Sequence, residues 1–441
     1  MGCTLLRHRR AERPARAFHG ELKMPSIVPP AESQRISSVL LTALAAAVGL
    51  IVLPLFAAQP LVGLIGPSLG FPVALAGLAP TLTSLGYAVG LVVLVPMTDL
   101  LDSRRMILWT LTADVCAIGC AAAAPSAGIF LFAAFATGVA TSVIQMLIPV
   151  VAAIAPAPLR GQAIGTVMSG LMVGILLSRP SASLLADHFG WRMVYAIDAV
   201  IMIGVTCMLL AVLPRRRTAA SATSLGLVAS LWTVLRDEPV LRRRAVYQAL
   251  CMAAFGSFWT SIALRLAAPP FDLSQTGIAV FALAGAGGAI ISPLAGRAGD
   301  RGLTGVATRV AHAGAAGALV LAGIAGAGWL GFEPGTYPLT ALALLAIAAF
   351  VLDLGVIGDQ TLGRREINLL RPDARARING LFTGLFFVGS AAGSALSGLA
   401  WTASGWSGVC LLGAFFGGAA FVMGLRERNA SAAPHLAQTS R

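Results

Sequence analysis

The chain has 441 residues, 57% of them hydrophobic and only 11% charged, with a formal net charge of +13. Soluble domains carry about 25% charged residues, so this composition, with a mean hydropathy of +0.84, excludes an ordinary water-soluble globular protein and makes lipid the expected medium. The positive excess does not point to nucleic acid, because the basic residues are spread over many loops without interleaved aromatics.

Residues 1–36 are polar and basic and contain no apolar run, which predicts a disordered cytoplasmic tail. Its start, Met1-Gly2-Cys3, has Leu6 where a myristoylation signal needs Ser or Thr. Six segments of membrane length, roughly 17 to 25 residues, fill 37–213: Val39 to Ala57, Ala79 to Pro96, Ile107 to Ala124, Ile129 to Ala152, Ala163 to Ala186 and Val194 to Leu213. Residues 214–244 form a long cytoplasmic linker. Within it Ser224 is a candidate cap for an amphipathic helix carrying Leu225, Val228, Leu231, Trp232 and Leu235 at helical spacing, ended by Asp237-Glu238-Pro239 and expected to lie flat on the membrane face. Six more segments fill 245–427: Val246 to Ala268, Gly277 to Ala295, Val306 to Leu330, Leu339 to Gln360, Ile378 to Trp401 and Trp406 to Leu425. A second cytoplasmic tail, 428–441, follows. The expected fold is an all-α integral membrane protein with twelve transmembrane helices in two six-helix bundles.

The two sets of spans repeat each other. Adding 215 carries Gln145 to Gln360, Arg160 to Arg375, Gly165 to Gly380, Gly174 to Gly389 and Gly190-Trp191 to Gly405-Trp406, while Asp99 and Asp300 repeat at 201. Duplicated membrane halves are the sequence mark of transporters. Of 31 Lys and Arg, all but Arg179, Arg192 and Arg265 fall in the tails or the even-numbered connections, which predicts a multi-pass protein with both termini cytoplasmic.

A charge at the centre of a membrane helix costs about 2.5 to 3.5 kcal/mol on insertion scales, so one that persists there faces a cavity or a partner. Asp114, Arg179, Asp198 and Asp353 are such residues. Asp353 is the first candidate for proton coupling and Asp114 the reserve; a structural ion pair of Asp353 with Arg179 or Arg265 is the alternative. Spans 4, 7 and 10 also carry polar and aromatic positions, namely Thr141, Gln145, Tyr247, Ser257, Trp259, Ser261 and Gln360.

Enzyme chemistry finds little footing. Asp99 and Asp102 form a D-x-x-D pair of the kind that holds Mg²⁺ on a diphosphate, but the second acidic cluster such an enzyme needs is missing. Cys116, Cys120, Cys207, Cys251 and Cys410 lie inside spans, and His8, His19, His188, His312 and His435 are scattered without ligand spacing. No cofactor or metal is therefore expected.

Twelve spans in two halves, a long central loop, and an Asp-centred loop after spans 2 and 8 resemble the major facilitator superfamily over Val39 to Leu425. Further text is similar to a bacterial subgroup of small-solute and drug efflux proteins: Gln59-Pro60, Gly86-Tyr87, Val95-Pro96-Met97-Thr98-Asp99, Arg160-Gly161, Gly165 to Gly170, and Arg371-Pro372-Asp373 through Arg377-Ile378-Asn379. The resemblance implies alternating access, a gating loop at Asp99, Arg104, Arg105, Asp300 and Arg301, and a central cavity lined by spans 1, 4, 7 and 10. Gln59, Thr141, Gln145, Tyr247, Ser257, Trp259, Ser261 and Gln360 would then be substrate-cavity candidates, with helix-to-helix hydrogen bonding as the other role open to Gln145 and Gln360. The loop motif departs from the family pattern at Val95 and Leu100. In the span 5 antiporter motif Gly170 and Gly174 match, but Ile175 replaces Pro and Ser178-Arg179 the final Gly pair; in span 4, Ala134 stands four residues before Gly138 where many proton-coupled members carry Arg. The implied function is a monomeric secondary transporter of the bacterial inner membrane, a multidrug-type antiporter exporting a small amphipathic solute against protons. An uptake symporter or facilitative carrier of a sugar or organic acid, and a solute sensor that transports nothing, are the alternatives.

Overall fold

The computed structural model describes residues 38–98, 101–213, 224–371 and 374–426, so the readings on both tails and on Asp99 lie outside the described residues. Regular structure among these residues is helical throughout. In chain order the helices are α1 (Ser38–Ile51), α2 (Leu53–Ser68), α3 (Leu78–Met97), α4 (Ser103–Ala123), α5 (Ala127–Thr141), α6 (Val143–Ile154), α7 (Arg160–Phe189) and α8 (Trp191–Val212). Then come α9 (Ser224–Asp237), α10 (Pro239–Leu266), α11 (Gln275–Ala282), α12 (Gly287–Asp300), α13 (Thr304–Ala327), α14 (Pro338–Ile367) and α15 (Arg375–Arg426).

Joined across their short breaks, these give 11 helical segments among the described residues that are long and apolar enough to cross a membrane. The last of them turns within itself: Ser404 and Gly405 leave helical geometry, with φ of −149° and 59°, so α15 supplies two crossings and the total is twelve. Gly405 answers Gly190, which closes α7 at φ 78°, and each glycine is followed by a tryptophan that starts the next helix. A Cβ is poorly tolerated at such φ values, which explains why this dipeptide repeats. Trp191 donates to Ser68 Oγ at 2.9 Å and Trp406 to the Ala322 carbonyl at 2.9 Å, anchoring equivalent turns.

Helix ends depart from the hydropathy reading where the helix outlasts its apolar stretch. The first segment runs from Ser38 to Ser68 and carries Pro60 and Pro67 inside it, well past the expected end at Ala57. α10 starts at Pro239 inside the stretch read as linker, and α14 continues past Gln360 to Ile367. Proline is accommodated at the first turn of α10 because no partner is lost there. On α9 Leu231 and Val234 are buried, Val234 in a cluster with Leu241, Ala245, Ile367, Ala374, Ile378 and Phe382, while Trp232 faces outward.

Within the first half, α7 presses directly on α1. A Cβ added at Gly170 would lie 2.2 Å from the Ala45 carbonyl oxygen, and one at Gly174 2.2 Å from that of Gly49, so this small-residue face exists for backbone contact. The halves meet on the face opposite the arginine pairs. There Thr81 donates to the Ala391 carbonyl at 3.2 Å, and the Asp187 carboxylate at the end of α7 accepts the Thr276 N–H at 3.1 Å and the Thr276 hydroxyl. An acid from one half thus caps the N-terminus of α11 in the other.

Candidate functional site

A cavity of about 110 Å³ lies between the halves. Its wall draws on both halves: Val52 with α2, α3, α6 and α7 on one side, and α10, the glycine turn between α11 and α12, α12, α14 and α15 on the other. Spans 2, 5, 8 and 11 therefore join the four that the resemblance implied. Most of the lining is apolar, including Leu55, Met168, Met172, Ile175 and Met252, with Phe56, Phe255, Phe386 and Phe387 as aromatic surface.

The charged groups sit at the two ends of this apolar wall. Deep in the cavity Asp353 accepts the Trp259 indole N–H at 2.9 Å. The same indole lies under the Arg179 guanidinium, whose central carbon is 4.3 Å from the ring centroid, and the two charges interact across it. Phe56 and Phe255 stand 5.1 and 5.0 Å from that guanidinium, and Gln59 Oε1 accepts its Nε–H at 2.8 Å. Span 8 can come this close because of Gly285: a Cβ there would lie 3.2 Å from Asp353 Oδ2 and 3.2 Å from the Trp259 ring. At the other end Gln145 Nε2 donates to the Tyr87 hydroxyl at 3.4 Å, and Arg364 Nη2 to Thr383 Oγ1 at 3.4 Å.

Of the residues singled out from sequence, Gln145, Gln360 and Asp353 line this cavity. Trp259 stands behind the wall as the link between Arg179 and Asp353, and Gln59 serves Arg179 rather than the cavity surface. Thr141 lies off the cavity because its hydroxyl turns back to the Thr137 carbonyl of its own helix at 2.8 Å, and Ser257 does the same with Ala254 at 2.9 Å. Ser261 is buried away from the lining. Tyr247 reaches the Met423 carbonyl at 3.2 Å and stacks edge-on with His312, so it ties helices together.

Asp114, the reserve proton carrier, is also remote from the cavity. It is fully buried on α4, interacts with the Asp198 carboxylate on α8, and has no hydrogen-bond partner for either oxygen among the described residues. Arg265, the second partner considered for Asp353, instead donates to the Gly326 carbonyl at 2.7 Å and to that of Pro269. Among the described gating residues, contacts stay within one half: Arg104 donates to the Leu210 carbonyl, Arg105 N–H bonds the capping Asp102 side chain at 3.1 Å, and Asp300 pairs with Arg365 at 3.1 Å. Arg301 is exposed where α12 ends. The cross-half bonds of Thr81 and Asp187 lie at the opposite face.

A model of the Major Facilitator Superfamily matches residues 36–367. The chain belongs to the Major Facilitator Superfamily. Its members and this chain's relatives are transporters. The uncharacterized transporter YgaY of Escherichia coli is 35% identical over 382 residues, covering 87% of this chain and 94% of its own. The probable transporter SCO4007 of Streptomyces coelicolor is 32% identical over 359 residues, covering 81% and 80%. Among solved structures, the nucleoside transporter NupG superposes with a TM-score of 0.68 at 15% identity, covering 88% of this chain and 98% of its own. A D-xylose-proton symporter gives 0.67 at 13%, covering 87% and 97%. At those identities the superpositions show the shared fold alone.

A second polar cluster of this superfamily member escaped the sequence reading. His312, taken as isolated, lies with Nε2 3.1 Å from Asp359 Oδ1, and Cys251 completes a buried trio whose donor atoms fall within 4.8 Å of one another. Three different spans supply them, so no spacing along the chain could show it. The set has metal-ligand chemistry, but Arg244 Nη1 lies 3.8 Å from the same Asp359 oxygen and puts a fixed cation beside the place an ion would occupy. Arg244 also holds Glu366 through two bonds of 2.6 and 2.7 Å and Thr308 at 2.9 Å. Such pairing makes the cluster a buried ion network joining α10, α13 and α14.

Proposed function

We propose that this transporter exports a small amphipathic organic solute in exchange for protons, with Asp353 as the group that trades a proton for the solute. The observation that carries the reading is the place of Asp353: a carboxylate inside the central cavity, held by one indole N–H and facing Arg179 across that ring. A carboxylate in an apolar cavity is poorly solvated when charged, and a neighbouring guanidinium counteracts that penalty. A solute entering between the two would alter the balance, which is what coupling of proton and solute requires. If the arginine-rich face is cytoplasmic, as positive-inside topology predicts, the halves meet at the outer face and the cavity stands on the inward side.

Candidate solutes come from a panel of amphipathic dyes and drugs in cells lacking their main exporters, with and without a protonophore. In proteoliposomes the Asp353→Asn variant is expected to lose uphill, pH-driven transport while keeping counterflow, since exchange needs the cavity but no protonation cycle. Retained pH-driven accumulation would clear Asp353 of the coupling role. Loss of both activities would make it a structural partner of Trp259 and Arg179.

A further inference from the structure

Resting on the reading of the central cavity as the solute path, we infer that the solute is an organic monoanion whose carboxylate binds Arg179 while its apolar or aromatic body occupies the cavity. Arg179 is a buried cation, 3% exposed, on the cavity wall. Three aromatic rings surround the guanidinium, and Gln59 takes its Nε–H, which fixes the group's orientation. Its Nη2 is buried with no hydrogen-bond partner among the described residues. A buried guanidinium nitrogen left without an acceptor is costly, and the arrangement leaves that donor free for a ligand. The planar fork of donors matches a carboxylate.

The charge balance of the wall points the same way. Two guanidinium groups, Arg179 and Arg364, line the cavity against the single carboxylate of Asp353, which already has the Trp259 N–H. Among the described residues Arg364 donates from Nη2 to Thr383, and its buried Nε has no partner. An incoming anion therefore relieves a surplus of positive charge, whereas a cation would add to it. A dianion such as a phosphate ester fits less well, because between the two ends the lining is methionine, leucine, isoleucine and phenylalanine, which offer nothing to replace its hydration. Packing brings both arginines into the cavity.

The test is equilibrium binding to the purified full chain in detergent or nanodiscs, read as thermal stabilisation against ligand concentration. Benzoate, 4-phenylbutyrate and decanoate serve as probes, each beside the amide and the amine of the same carbon skeleton. The expected result is saturable stabilisation by at least one acid and binding at least tenfold weaker for its amide and amine. Arg179→Gln should weaken acid binding by tenfold or more and remove the preference over the amide, and Arg179→Lys should restore part of it. If Arg179→Gln does not fold, the acid, amide and amine series on the unaltered chain still decides. Equal binding of amide or amine, an acid affinity unchanged in Arg179→Gln, or no saturable binding by any of the three acids would overturn the proposal. Because this measurement needs no gradient, it separates from the coupling experiment: proton-driven transport of neutral or cationic solutes would sink the anion assignment alone, and carboxylate binding without coupling would sink only the role of Asp353.

Discussion

At the scale of single residues, the site depends on one absent methyl group. Gly285 lets the turn between α11 and α12 approach Asp353 Oδ2 and the Trp259 ring, each to 3.2 Å of where a Cβ would sit. Gly285→Val would force those side chains apart, at about 1 to 3 kcal/mol for overpacking. The variant is expected to express and melt a few degrees lower while transporting at a small fraction of the normal rate, and unchanged transport would show that the Trp259 to Asp353 bond is dispensable. Asp353 was legible from sequence because an acid deep in an apolar run has few other reasons to persist, and Gln145 and Gln360 because duplication marked them. Thr141 and Ser257 misled for a physical reason: a hydroxyl on a helix can satisfy itself on a carbonyl three or four residues back, so helical spacing of such residues does not establish a polar path. Arg179 was visible as an intramembrane charge, but the rings around it come from two other helices, α2 and α10, and their convergence on it left no trace along the chain.

At the scale of elements, hydropathy located the spans but not their ends, since helices such as α14 run on through polar residues once neighbouring helices cover them. The buried network on α10, α13 and α14 shows what such extensions accomplish. Arg244 is 1% exposed and stands beside Glu366 and Asp359, so removing it takes the nearest guanidinium from both carboxylates and leaves Glu366 with Arg243 at 3.8 Å and Asp359 with His312 at 3.1 Å. Breaking a buried pair from one side costs about 3 to 5 kcal/mol, and Arg244→Met is expected to lower the detergent melting temperature sharply and reduce yield. Changing Arg244 and Glu366 together to apolar residues should recover part of the loss, which a double-variant melting series would measure; a single variant as stable as the unaltered chain would mean that the network contributes little to folding.

At the scale of the whole molecule, the halves hold each other on one face through bonds that do not involve the cavity, chiefly the Asp187 carboxylate on the first turn of α11. Asp187→Ala removes that cap, and the population with this face closed should fall. Spin labels or a fluorophore pair on the ends of α7 and α11 would then show a larger share of long distances, whereas an unchanged distribution would assign closure to the Thr81 and Ala391 contact and its surroundings. The linker helix α9 is seated mainly on the second half, where Val234 lies among residues of α10, α14 and α15, and it also touches α3 of the first half. That seat has a consequence for biosynthesis: Val234 leaves the ribosome long before Ile367, Ile378 and Phe382, so the joint between the halves cannot be set until the first turns of α15 exist. A chain arrested before Ile367 would carry α9 without the side chains that cover it, and would present membrane quality control with an apolar helix face at the water boundary.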